Sequence, residues 1–299
     1  MRSFRKILII VLTLAISLSM AVPVFGASGD KTIYLTTKYN EKSYDSEGNV
    51  ENTINTKYTY NKSGLLKSYK YSDEEEIEKG TYYYNSKHQA TKLLFTSTSR
   101  DGERKEKYCY KFSYNKNGYL RKKTGYWIDN GKYVKLWEYR YTWNNKGQLT
   151  KCVSLNERGN TVSTEWYTYD EKGQLTKYKS RDPGEENSYI VRYKYNDDGQ
   201  YISSYSKGSF PNLPFYEECT YDGNKKTTIR YEDKSKESII EKSIETYKNG
   251  NLVKSKYYSG FDIEELSSLT NYNYKKITLK SKYKTAVLRQ QACWDYIAP

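Results

Sequence analysis

One short unit keeps returning along this chain and leaves few folds open to it. Two aromatic residues stand at i and i+2, followed by Asp or Asn, two polar residues, Gly, and an aliphatic residue two further on. The stretch Tyr167-Thr168-Tyr169-Asp170-Glu171-Lys172-Gly173-Gln174-Leu175 shows it in full. Aligned on the glycine, seven copies span Tyr44 to Val50, Tyr58 to Leu66, Tyr82 to Ala90, Phe112 to Leu120, Tyr141 to Leu149, Tyr167 to Leu175 and Tyr193 to Tyr201. Degenerate copies follow at Tyr221-Asp222-Gly223 and from Tyr247 to Leu252. The glycines at 118, 147, 173 and 199 are 29, 26 and 26 residues apart. Such spacing marks a chain assembled from one supersecondary unit repeated many times.

The unit reads as a hairpin. Asn or Asp, two polar residues and Gly suit a type I turn whose first side chain caps the backbone and whose glycine is left-handed. His88 replaces that glycine once, and histidine tolerates the left-handed region better than most residues. The only histidine of the chain is therefore expected to serve a turn. A three-residue loop places Asn61 opposite Leu65, Tyr60 opposite Leu66 and Tyr58 opposite Ser68. Likewise it pairs Tyr114 with Leu120, Trp143 with Leu149 and Tyr169 with Leu175. Aromatic–aliphatic pairs of this kind stabilise antiparallel strands. The same parity puts Tyr108, Tyr110, Phe112 and Tyr114 on one face, and Trp137, Tyr139, Tyr141 and Trp143 likewise. Thr, Lys, Glu and Arg fall on the other, as in a sheet with one buried face. Looser turns at Asp101-Gly102, Asp129-Asn130-Gly131, Glu157-Arg158-Gly159-Asn160 and Asp182-Pro183-Gly184 join the hairpins. The expected fold is all-β: antiparallel β-hairpin repeats forming an extended or curled meander sheet. Whether that sheet is open, rolled or closed is not fixed at this level.

Three regions follow: a leader over 1–26, hairpin repeats over 27–205, and degenerate repeats with a C-terminal cap over 206–299. The leader has the basic start Arg2, Arg5 and Lys6, an apolar run from Ile7 to Met20, and small residues at Gly26 and Ala27. That is the layout of a secretory signal peptide cleaved after Gly26 or Ala27; the apolar run is short of the ~20 residues of a membrane-spanning helix. The mature chain is then expected outside the cell, loosely associated with the cell wall and without a stable membrane span. In the last region Phe210 to Phe215 reads as a loop and Asp262 to Leu266 as one helical turn.

Composition agrees. The 299 residues are 36% apolar, yet 36 of them are Tyr, whose ring covers a core while the hydroxyl stays wet. The formal charge is +14, or +11 once Arg2, Arg5 and Lys6 are removed. A basic exported protein attracts anionic polymers; export argues against nucleic acid. The bland alternative is that lysines merely solubilise a Tyr-rich sheet. Cys109, Cys152, Cys219 and Cys293 lack metal-ligand spacing. The hairpin register sets Cys109 opposite Gly125 and Cys152 opposite Arg140. It puts these two cysteines three strands, ~14 Å, apart, beyond the reach of a disulfide.

The unit Tyr-x-Tyr-[Asp/Asn]-x-x-Gly-x-Leu resembles the YD repeat of the RHS family of exported bacterial proteins, over roughly residues 34–205. The resemblance implies a repeat β-sheet in an extracellular setting, in a family whose repeats are associated with carbohydrate binding. It does not extend to toxin delivery: the repeats are too few to enclose a cavity of that kind, and the tail is too short for a toxin domain. A lesser resemblance, to aromatic hairpin repeats of wall- and glucan-binding modules, lacks their Gly-Trp signatures.

Little in the sequence suggests catalysis. His-assisted nucleophiles would need His88, and neither a phosphate loop, a Cys-x-x-Cys nor a calcium loop is present, so no cofactor or metal is expected. The acidic run Asp73-Glu74-Glu75-Glu76 reads as a solvated turn. Binding is easier to motivate. By simple alternation Trp127 lies on the polar face, opposite in parity to Leu120 and Tyr126, and Trp166 alternates against Tyr167. Both are candidates for stacking on sugar rings; the competing reading is that a bulge at Gly125 or a loop at Trp166 returns them to the core. Lys275, Lys276, Lys280, Lys282, Lys284 and Arg289 form a candidate basic patch. The expected function is therefore non-enzymatic binding of surface carbohydrate or an anionic wall polymer. The alternatives are an extracellular protein-interaction scaffold using a sheet edge or concave face, and a glycoside hydrolase with unrecognised carboxylates.

Overall fold

A computed structural model describes residues 31–184, 188–208, 214–259 and 265–279. The leader, Lys280, Lys282, Lys284, Arg289 and Cys293 lie outside these, as do most of the Phe210 loop and the Asp262–Leu266 turn. Among the described residues there are eighteen strands. They are β1 (Lys31–Tyr44), β2 (Val50–Tyr60), β3 (Leu66–Ser72), β4 (Glu76–Tyr84), β5 (Ala90–Ser99) and β6 (Lys105–Tyr114). Next come β7 (Leu120–Asp129), β8 (Lys132–Trp143), β9 (Leu149–Asn156), β10 (Thr161–Tyr169), β11 (Leu175–Arg181) and β12 (Tyr189–Tyr195). The last are β13 (Tyr201–Lys207), β14 (Tyr216–Asp222), β15 (Lys225–Tyr231), β16 (Ile239–Lys248), β17 (Asn251–Ser259) and β18 (Ser268–Leu279).

Each strand runs antiparallel to its successor, and β18 pairs with β1 along a ladder from Lys31 opposite Leu279 to Ser43 opposite Ser268. The sheet is therefore not an extended or merely curled meander: it is a closed barrel. Closure removes the unpaired donors and acceptors that an edge strand would leave.

The turns form as their chemistry requires. Asn61 Oδ1 accepts the Ser63 and Leu65 amides at 2.9 and 3.0 Å, while the Gly64 amide donates to the Asn61 carbonyl at 3.0 Å. Gly64 has φ 81°, and His88, at the same place in its turn, has φ 61°. Asn130 and Gly131, with φ 47° and 79°, make the two-residue turn that matches strand twist.

The expected pairs Tyr60–Leu66, Tyr114–Leu120, Trp143–Leu149 and Tyr169–Leu175 all form, but the register then slips by one. Thr59 faces Ser68, so Lys67 is an extra residue, and Tyr58 faces Tyr69 instead of Ser68. A bulge of this type follows the first residue of the second strand in all seven copies, at Glu51 on β2 and then on β3, β5, β7, β9, β11 and β13, with Arg121 and Thr150 in the same place. It corrects two further expectations: Cys109 lies opposite Tyr126, and Cys152 opposite Tyr141. Because a strand alternates its faces, Cys109 is left on the polar side and Cys152 on the aromatic side. Both are buried and free, as is Cys219.

The main core is a belt along the aromatic face, with Leu66, Tyr69, Tyr82, Leu93, Phe95, Phe112, Leu120 and Tyr141 buried. Large rings standing on the convex side of a single sheet would diverge into solvent. Their burial without a covering layer among the described residues assigns this face to the barrel interior. Composition suggested wet Tyr hydroxyls, but many of the inward ones are bonded to the chain. The second aromatic of one hairpin donates to a carbonyl of the preceding strand: Tyr60 to Thr36 (2.7 Å), Tyr84 to Leu66 (2.6 Å), Tyr114 to Ala90 (2.8 Å), Tyr169 to Leu149 (2.8 Å) and Tyr195 to Leu175 (3.0 Å). Trp143 does the same with its indole N–H, to Leu120 at 2.6 Å. The degenerate copy at Tyr221 keeps the bond, to Tyr201 at 2.8 Å, and Tyr274 on β18 makes it to Leu252 at 2.6 Å.

Candidate functional site

Following the register around the barrel separates the charges by face. Inward positions carry carboxylates held by tyrosines. Tyr108 donates to Glu106 (2.9 Å), Tyr201 to Glu217 (2.6 Å), Tyr247 to Glu245 (2.9 Å), and Tyr69 to Glu78 (3.1 Å). Glu217 and Glu241 also clasp Arg230, at 3.0 and 2.6 Å, and Lys226 pairs with Glu245 at 3.1 Å. Burial, with Glu76 and Asp73 nearby, pushes the Glu78 carboxyl up to about 7. Among the described residues no group of three His, Cys, Asp or Glu side chains could hold a metal ion.

Outward positions are lysine-rich, and several of these lysines sit beside rings. Lys92 lies 4.4 Å from the Tyr83 ring, Lys111 lies 4.9 and 4.4 Å from Tyr126 and Tyr133, and Lys242 lies 5.6 Å from Tyr258. Such contacts between ammonium and ring face are favourable even at the surface. Glu138, the notable outward carboxylate, is covered by Lys122, Lys135 and Arg140 at 3.8, 3.6 and 2.7 Å. Those three cations hold it below the ordinary glutamate range against the opposing effect of its own desolvation.

The two tryptophan candidates part company here. Trp127 lies opposite Tyr108 on the inward face. The bulge at Arg121 reverses its parity, so it is not an outward stacking residue; the expected bulge at Gly125 also forms, but its extra residue, Leu136, lies on β8 and leaves the β7 faces unchanged. Trp166 stays outward, directly opposite Lys151 on β9 and Lys179 on β11. Their ammonium groups stand 5.9 and 5.2 Å from its ring. In the neighbouring rows Thr164 faces Arg181, and Thr168 faces Lys177, which in turn faces Arg192. The outward residues of β9 to β12 include no carboxylate. A cavity of ≈ 450 Å³ opens beside this field, lined by Asn144, Gln148, Thr150, Thr168 and Asp170 among others.

Lys275 and Lys276 do not combine into one patch. They pair with Leu35 and Tyr34 as adjacent residues of β18 and so point to opposite faces. Lys275 instead lines a ≈ 330 Å³ cavity at the β1–β18 seam with Leu35, Tyr60 and Ile277. The cations around Trp166 were missed in the sequence, although Lys177-Tyr178-Lys179-Ser180-Arg181 carries the alternation that announces them.

No protein-family model matches the sequence, and no curated protein is significantly similar to it. Among solved structures, the TcdB2-TccC3 chain without its hypervariable C-terminal region is 14% identical with a TM-score of 0.41, over 79% of this chain. This chain spans only 14% of that one. A porin-like protein from Bacteroides uniformis is 12% identical with a TM-score of 0.42, over 80% of this chain and 98% of its own. A porin-like protein from Bacteroides vulgatus is 12% identical with a TM-score of 0.33, over 63% of this chain and 99% of its own. Scores this low establish neither a shared fold nor a shared activity. No helix among the described residues is long and apolar enough to cross a membrane, which has no bearing on strands.

Proposed function

We propose that this is an exported, non-enzymatic β-hairpin-repeat protein of the YD-repeat type that binds an anionic carbohydrate or wall polymer on its outward face. The observation that carries the reading is the separation of charge by register: outward lysines beside aromatic rings, inward carboxylates bonded to tyrosines. The outward lysines also weigh against a membrane-spanning barrel, since charge on a lipid-facing surface costs ~2–4 kcal/mol per cation at mid-membrane. The signal-peptide pattern and the motif resemblance supply the extracellular setting. Of the two surfaces suggested for a scaffold, closure of β1 on β18 removes the sheet edge.

Binding of this kind releases counterions, so affinity must fall as salt rises. The mature chain is expected to co-sediment with insoluble wall material or acidic polysaccharide at low ionic strength and to come off at high ionic strength. Failure to bind any polyanion at low salt would overturn the proposal.

A further inference from the structure

Within that outward face one place differs in kind. Elsewhere the rings paired with lysines are tyrosines; at Trp166 an indole stands between two cations in a single row across three strands. The row runs perpendicular to the strands, whose ~4.8 Å spacing puts the Lys151 and Lys179 backbones about 10 Å apart with the indole between them. Beyond the row are Arg181, Lys177 and Arg192, and no outward strand position from β9 to β12 is a carboxylate; the one acid lining the adjoining cavity is Asp170, in the β10–β11 turn. Hydrogen-bonding side chains of Thr150, Thr168 and Gln148 line the adjoining cavity.

We infer that Trp166, Lys151 and Lys179 form a subsite for an acidic sugar residue, a pyranose ring bearing a carboxylate or phosphate substituent; the inference rests on the anionic-polymer reading above. The chemistry selects the ligand. A ring-free polyanion needs the cations but has nothing to place on the indole. A neutral sugar uses the indole and leaves the cations without a purpose. The axial C–H groups of a pyranose carry partial positive charge and meet the negative face of the indole, as a cation does. Acidic substituents of the same residue then reach an ammonium on either side. Threonine and glutamine beside the ring suit its hydroxyl groups.

The test titrates the mature chain, its Trp166→Ala variant and its Trp166→Tyr variant with two probes: polygalacturonate, which has rings, and inorganic polyphosphate, which has none. Circular dichroism confirms that each variant is folded. Trp166→Ala is expected to weaken polygalacturonate binding about tenfold, in the range of a lost aromatic contact, while leaving polyphosphate binding unchanged; Trp166→Tyr is expected to restore most of the loss. Equal effects of Trp166→Ala on both probes, or on neither, would overturn the subsite. Wild-type binding to polyphosphate but not to polygalacturonate would also overturn it while leaving the anionic-polymer reading in place. Binding to neither probe would overturn both.

Discussion

Lys123 sits inward in the middle of the aromatic belt, its ammonium 4.7 Å from the Tyr110 ring and 5.7 Å from Trp137. Burial pushes it down to about 7 from the ordinary 10.5. Between those values the unfolded chain holds a proton that the folded chain has lost, so stability rises with pH across that window. Below about 7 the fold carries a buried charge and its full penalty. Replacing Lys123 with Met should therefore stabilise the protein at pH 6 and gain progressively less as pH approaches 10. Urea unfolding of both proteins at several pH values tests this; a gap independent of pH would mean that Lys123 stays charged in the fold. Two glycines show how closely the same belt is packed. A Cβ on Gly80 would lie 2.0 Å from the Tyr69 ring, and one on Gly125 would lie 2.3 Å from the Trp137 ring. Neither role could be read from sequence, where both glycines interrupt good strand patterns.

The hairpin is the element on which this protein is built, and it is tied to its neighbour twice. Near the strand ends a phenol or indole N–H donates to a carbonyl of the preceding hairpin. At the turns, Gln148 Nε2 donates to the Gly173 carbonyl at 3.0 Å and Gln174 Nε2 to the Gly199 carbonyl at 3.1 Å. The residue after each of these turn glycines thus reaches the next turn along. Tyr169→Phe keeps the ring and its pairing with Leu175 but removes the donor to Leu149. The expected cost is about 1 kcal/mol, the usual net value of such a bond, measured as a lower denaturation midpoint with an unchanged slope. No loss of stability would show that water replaces the phenol. The turn residues and the aromatic–aliphatic pairs were legible beforehand because both are local. The bulge was not, since it is one residue of slip with no composition of its own: Lys67, Arg121, Thr150 and Thr176 fill it. It was enough to move Trp127 from one face to the other.

Closure is a property of the whole molecule and depends on strands almost the full chain apart. The seam joins Tyr39 to Tyr272, with ring centroids 5.7 Å apart. It also buries a second cluster of Ile33, Leu35, Leu65 and Leu279. A chain ending before Ser268 would lose β18 and expose β1 and β17 as long unpaired edges. Such edges template pairing with another chain, so this truncation is expected to self-associate, while the full chain does not do so through an edge. Light scattering after gel filtration distinguishes them, and a monodisperse monomeric truncation would count against the seam as the closing contact. The same closure gives the charge sorting its meaning. An open sheet with lysines on one side and carboxylates on the other would expose both to solvent. A closed one presents its lysine-rich side outward and keeps the inward carboxylates among tyrosines.

The repeat read at the outset constrained what local chemistry can constrain. Asn or Asp with Gly forces the turn, alternation forces a strand with one aromatic face, and both follow from interactions within a few residues. The placement of His88 at a left-handed turn position belongs to the same class. Tertiary structure decided what depends on counting from afar. It decided the bulge that resets each face, the bonding of Tyr hydroxyls to carbonyls of another hairpin, and the pairing of β1 with β18. Those three settle which tryptophan faces outward and which cations surround it, because each rests on contacts between residues that sequence spacing alone does not bring together.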